Sequence, residues 1–197
     1  MSVYAGMASE YALPADLTSQ GFKVLIQPRR VNRIVRGLAL DIATDNFWQE
    51  YPYLIAILHG AKPFAERFIQ ETNKIDLFPE MEYIRVKSYE ATQSSGFIDL
   101  RDDVKGDLRG RKVLLLEDIV DTGRTIAFLK SYLLEHKGAS EVKVASLLDK
   151  PSRRQVKGLT PDYCRQQIDN LFVIGFGLDL DGKYRDLPCI CYKEGLS

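Results

Sequence analysis

Apolar residues recur along the chain at two spacings, and their alternation predicts an α/β fold. After Pro28, Val31, Ile34, Leu38 and Ile42 return at helical intervals, which predicts an amphipathic helix of about 15 residues lying on a sheet. YLIAIL at 53–58 is apolar without interruption, as in a parallel strand covered on both faces, and His59-Gly60 ends it. PFAERFIQET at 63–72 opens on a proline suited to a first helical turn and sets Phe64, Phe68 and Ile69 on one side. EYIRVKSY at 82–89 mixes apolar residues with charges and predicts a partly buried strand.

Residues 92–110 are rich in Ser, Gly, Asp and Arg with little periodicity, so they are expected to form a long loop of lid type. Strand, turn and helix follow in VLLLEDIVDTGRTI at 113–126, with the helix expected over 124–136 and stopped by Gly138. EVKVASLLDK, LFVIGFGL and CICY supply three further strands, the last two separated by the polar turn DLDGKYRD. This order predicts a mostly parallel twisted sheet flanked by helices. Without a linker or an internal repeat, residues 1–197 are expected to form one domain, its core at about 23–177 and a small hood lobe built from the terminal segments.

Composition removes several function classes. Lys plus Arg and Asp plus Glu both count 27, so no overall charge excess points to nucleic acid or an anionic membrane. The longest apolar runs fall far short of the roughly 20 residues that span a bilayer. The first 16 residues lack a basic start and an apolar stretch, and the expected location is the cytoplasm. Cys164, Cys189 and Cys191 show no paired C-x-x-C spacing and are expected to be free thiols, with Cys189 and Cys191 on one face of a strand.

The candidate chemistry lies in 113–126. In an open parallel sheet, ligands bind where strands end, and that is where 117–125 must fall. Gly123 permits a tight turn, the amides from Asp121 to Thr125 lead into a helix N-terminus, and Thr122 and Thr125 add hydroxyls, a cup for one phosphate. Neither the Walker spacing nor G-x-G-x-x-G is present. Glu117 and Asp118 suit two vicinal hydroxyls, alone or shared with Mg²⁺. A ribose 5-phosphate carries both features. A solvated strand end followed by an N-capped helix accounts for the same residues without a ligand.

LLLEDIVDTGRTI resembles the phosphoribosyl-diphosphate (PRPP) motif of type I phosphoribosyltransferases: a hydrophobic strand, two acids, two apolar residues, then D-T-G-x-T. Segments over about 23–192 resemble the hypoxanthine-guanine branch of that family in order. The resemblance implies the type I phosphoribosyltransferase fold, with the 5-phosphate held by Asp121, Thr122, Gly123, Arg124 and Thr125. It sets Glu117 and Asp118 at the ribose, and Asp121 near purine N7 as the catalytic acid/base. Lys150 in LLDKPSRR resembles the lysine that contacts the purine O6, Phe172 the aromatic that stacks on the base, and Val173 its backbone-offering neighbour. Asp179 is expected among the purine-binding residues and also resembles an aspartate that ligates Mg²⁺, with Glu117 and Asp118 also expected to serve the metal. Arg185 resembles an arginine on diphosphate. ILHGAKPF resembles the diphosphate loop, with His59 where the family usually has lysine, Gly60 beside it, and a preceding peptide that is often cis. Ser88 and Tyr89 resemble the serine-tyrosine pair of the family's mobile loop.

The activity implied is transfer of the phosphoribosyl group from PRPP to hypoxanthine or guanine, giving the purine nucleoside monophosphate and diphosphate with Mg²⁺ as cofactor, in a homodimer or homotetramer. A xanthine-preferring transferase is the nearest alternative. A non-catalytic regulator that senses PRPP or nucleotides on the same fold is the more distant one.

Overall fold

The computed structural model describes residues 11–50, 52–89 and 97–195, apart from the side chains of 87–89 and 97. Element order is α1 (Ala15–Ser19), β1 (Phe22–Ile26), α2 (Pro28–Thr44), β2 (Tyr53–Leu58), α3 (Lys62–Asn73), β3 (Met81–Tyr89), β4 (Phe97–Leu100), β5 (Lys112–Val120), α4 (Arg124–Glu135), β6 (Glu141–Asp149), β7 (Tyr163–Cys164), β8 (Phe172–Ile174) and β9 (Ile190–Lys193). The main sheet runs β4-β3-β2-β5-β6-β7, parallel throughout except for β4. No helix among the described residues is long and apolar enough to cross a membrane.

β2 and β5 are the continuous apolar runs and take the central places. Leu54, Ile55, Ala56, Leu114, Leu115 and Leu116 have no exposed surface, as strands covered on both faces require. Alternate positions feed two cores. Leu54, Ala56, Leu114 and Leu116 face α2 and α3, packing with Val35, Leu38, Phe64 and Phe68. Ile55, Val113 and Leu115 face α4 through Ile126, Leu129 and Leu133. The two expected helices are therefore present, running over 28–44 and 124–135, and Gly138, at φ 73°, follows the second.

Residues 92–110 are not an unbroken loop. Phe97–Leu100 forms β4, antiparallel to β3 with Val86 opposite Leu100 and Ser88 opposite Ile98. An edge strand of four residues is defined by its partner more than by its own pattern, and so its periodicity was too short to show. Residues 90–96, part of the expected lid, lie outside the described residues.

A second, antiparallel sheet joins β1, β9 and β8. β1 and β8 stand near the two ends of the 23–177 range, so this sheet takes in segments from both sides of that boundary. Leu17, Phe22, Ile174 and Leu187 form its own small core. Cys189 and Cys191 join them, both buried, with sulfurs 3.4 Å apart on one face, and no cysteine is in a disulfide.

Candidate active site

The site begins where β5 leaves the core. Fully buried Leu116 is followed by Glu117 and Asp118, and then by Ile119 and Val120. Gly123, at φ 82°, caps α4 in a left-handed conformation that glycine takes without a Cβ clash. The amides of the first turn of α4 have no intrahelical acceptor, and the Arg124 N–H approaches Thr122 Oγ1 at 3.4 Å. Glu117, Asp121, Thr122, Gly123, Thr125 and Arg153 line one cavity of about 220 Å³. Its size, hydroxyls and helix N-terminus fit one phosphate monoester. The Arg124 side chain is exposed.

The carboxylate pair is under electrostatic load. Burial, then the Asp118 charge, raises Glu117 well above the ordinary carboxylate range. Glu117 Oε2 is buried and has no hydrogen-bond partner among the described residues. Burial also raises Asp118, against the Ile119 N–H that donates to it at 2.8 Å and the attraction of Arg185. Two desolvated carboxyls with an unsatisfied oxygen suit hydroxyl donors or a hard cation such as Mg²⁺.

Three backbone segments converge on Asp118. A Cβ at Gly60 would lie 1.7 Å from Asp118 Oδ2, and a Cβ at Gly177, φ 105°, would lie 1.8 Å from the Gly60 carbonyl oxygen. The Leu58–His59 peptide is cis, and the His59 side chain is exposed. Arg185 donates from Nη1 to the Gly177 carbonyl at 2.7 Å and pairs with Asp179 at 2.6 Å. Asp179 also accepts the Gly182 N–H at 2.7 Å. Gly60, Asp118, Asp179 and Arg185 are thus linked, but the described residues contain no group of three or more metal-type ligands, so Asp179 does not join Glu117 and Asp118 around one point.

On the opposite side, Lys150 is 8 % exposed and its Nζ stands 3.9 Å from Asp121 Oδ2. Burial, more than the nearby Arg153, lowers the lysine against the pull of Asp121. The Lys150 N–H donates to the Val120 carbonyl at 2.9 Å, tying the end of β6 to that of β5. Phe172 leans on the small core of the three-stranded sheet, whereas buried Val173 packs in the main core and pairs with Tyr192 of β9. The backbones of Ser88 and Tyr89 pair with β4, while their side chains lie outside the described residues.

A family model described as a phosphoribosyl transferase domain matches residues 25–181. Over 169 residues the chain is 41% identical to the hypoxanthine-guanine phosphoribosyltransferase of Lactococcus lactis, covering 85% of this chain and 88% of that protein. The chain belongs to this family. The phosphoribosyltransferase is also 40% identical to the Streptococcus pneumoniae protein of the same description, over 85% of this chain and 91% of that one. Among solved structures, the hypoxanthine phosphoribosyltransferase of Staphylococcus aureus has a TM-score of 0.82 at 26% identity, covering 93% and 97% of the two chains. That of Trypanosoma cruzi has a TM-score of 0.77 at 30% identity, covering 86% and 95%.

The phosphoribosyltransferase also brings in residues that sequence reasoning passed over. Arg153 Nε lies 3.2 Å from Asp121 Oδ1, so Asp121 stands between Arg153 and Lys150. Arg154, nearly buried, pairs with buried Asp149 and donates to the Asp121 carbonyl. The Gln155 N–H donates to the Thr122 carbonyl at 3.0 Å. Residues 150–155 therefore hold Asp121 and Thr122 at the mouth of the cavity. Two adjacent arginines after Lys150 were visible in KPSRR, but the 3-10 turn Pro151–Arg153 decides which way each points.

Proposed function

We propose that this enzyme transfers the 5-phosphoribosyl group of PRPP to the N9 of hypoxanthine or guanine, forming IMP or GMP and releasing diphosphate. The observation that carries this reading is Asp121, which lines the phosphate cup and stands within 3.9 Å of the buried Lys150 ammonium. Phosphate grip and purine recognition thus meet at one carboxylate.

In this reading the cup holds the 5-phosphate and Glu117 and Asp118 accept the ribose hydroxyls. Lys150 donates to the purine O6, so the ring is oriented with N7 toward Asp121. As N9 attacks ribose C1, the bond from C1 to the diphosphate oxygen breaks and positive charge builds on the ribose ring. Fixed orientation and a carboxylate that accepts or shares the N7 proton are what the chain contributes at that moment. Arg185, close to Asp118 and Gly177, faces the leaving diphosphate. Mg²⁺ held at Glu117 and Asp118 would neutralise diphosphate charge. The Glu117 oxygen without a partner supports that assignment. Phe172 and Val173 close the base side from the three-stranded sheet, and the enzyme works as a homodimer or homotetramer.

The test is turnover of hypoxanthine, guanine, xanthine and adenine with PRPP and Mg²⁺, followed as monophosphate and diphosphate. Hypoxanthine or guanine is expected to be consumed fastest. Faster use of xanthine would overturn the base assignment, and PRPP binding with no turnover of any base would overturn the enzyme.

A further inference from the structure

A second concave region borders the phosphoribosyl cup across the Pro151–Arg153 turn, which gives Pro151 and Ser152 to the one and Arg153 to the other. A cleft of about 480 Å³ opens between β1 and the segments after β6 and β7, with Leu25, Ile26, Gln166, Gln167 and Leu171 among its walls and Arg30 at its edge. Arg30 also lines a neighbouring hollow of about 250 Å³, together with Arg33, Ile34 and Arg165. Neither hollow is lined by Glu117, Asp118, Asp121 or Lys150.

The charge on this face is one-sided although the chain is neutral overall. Arg29, Arg30, Arg33 and Arg36 project from α2 and are exposed, and none has an ion pair among the described residues. Arg30 donates only to the neutral Gln166 amide oxygen, at 2.9 Å. The acids on this face are Asp41, which accepts from both Nε and Nη2 of Arg165 at 2.6 and 2.5 Å, and Asp169 on the cleft wall, against five arginines. The first turn of α2 carries Arg29 and Arg30 and no acid, the unfavourable sign for a helix N-terminus.

Gly37 adds an observation independent of charge. It is buried in the middle of α2, where glycine weakens a helix. A Cβ there would lie 2.8 Å from Arg165 Cζ and Nε, so the guanidinium rests directly on the helix backbone. Crowded arginines, the wrong helix end and a mid-helix glycine each cost stability. A bound anion offsets the first two and uses the third.

We propose that this groove is a second ligand site, for an oligophosphate chain, either free or carried by a nucleotide. The guanidinium forks of Arg30 and Arg33 match phosphate oxygens, and Arg165, whose own fork is held by Asp41, adds its positive charge beside them. The adjoining cleft has the volume of a small-molecule site, with apolar walls and the Gln167 amide and Asp169 carboxylate to meet a base.

The experiment titrates tripolyphosphate, and separately ATP, into the full chain and its Arg33→Gln and Gly37→Ala variants near 0.15 M salt. Loss of one charged hydrogen-bonding fork is expected to weaken tripolyphosphate about tenfold in Arg33→Gln. Gly37→Ala changes no charge and favours the helix, but lifts Arg165 from its seat; a loss of roughly threefold or more is expected, by the same conversion. Turnover without tripolyphosphate should be unchanged in both. Tighter binding of ATP than of tripolyphosphate assigns the cleft to a nucleotide, and equal binding assigns the arginines to free oligophosphate; either upholds the site. Unchanged affinity in Arg33→Gln overturns it, since all binding then lies in the cup. Loss in Arg33→Gln with none in Gly37→Ala also overturns it, and marks an unshaped basic surface of the sort that meets RNA or an anionic vesicle.

Discussion

Glu117→Gln should make the ligand-free protein more stable and the enzyme worse. Glu117 is raised well above 4.5 by burial and by Asp118, and its Oε2 has no partner among the described residues. A group raised in the folded state binds its proton more tightly there than in the unfolded chain. Its contribution to stability is therefore full below about pH 4.5 and is lost as pH rises through the folded value. At pH 8 the wild type carries that loss, and Gln does not. An unsatisfied buried oxygen and its charge cost about 1–3 kcal/mol, which for a chain of this size corresponds to roughly 2–12 °C in Tm. Calorimetry of both proteins without PRPP or Mg²⁺ at pH 5 and pH 8 checks this. The variant should melt higher at pH 8, with the gap narrowing at pH 5, while turnover falls. A variant that melts lower at pH 8, or a gap that does not change with pH, refutes the reasoning.

Other perturbations separate the parts of the site. Lys150→Ala should raise the purine KM about tenfold or more, through loss of a charged hydrogen bond, and leave PRPP affinity nearly unchanged; steady-state kinetics with each substrate varied reads both. Arg154→Met leaves buried Asp149 without its cation and should destabilise by about 3–5 kcal/mol, seen as a lower urea midpoint. Gly60→Ala puts a Cβ 1.7 Å from Asp118 Oδ2; it should fold, yet lose most activity, and normal turnover would mean that the contact has no role.

The central strands and the glycine turn into α4 were legible because their causes are local. An uninterrupted apolar run reads as a covered strand, and D-T-G-R-T carries its own glycine and hydroxyls. What stayed hidden depends on distant partners. β1 pairs Phe22 with Lys193 across almost the whole chain, a pairing no local pattern encodes. β4 exists because β3 lies beside it. Asp179 turned to Arg185 through a turn in which Asp181 and Tyr184 take positive φ, residue types that give little warning of it. Arg153 reaches the Asp121 carboxylate and Arg154 its backbone carbonyl from a single 3-10 turn. Side-chain direction in short irregular segments is set by tertiary contacts, and those segments hold several of the residues expected at the purine.

Asp121 carries the proposed proton transfer, and the measurement is kcat together with PRPP Kd for the wild type and Asp121→Asn. A carboxylate that handles the purine proton contributes about 10²–10⁴ in rate, so kcat should fall by that order while PRPP Kd changes less than about threefold, well under 1 kcal/mol. Equal losses in kcat and PRPP affinity would contradict the account, reducing Asp121 to a wall of the phosphate cup.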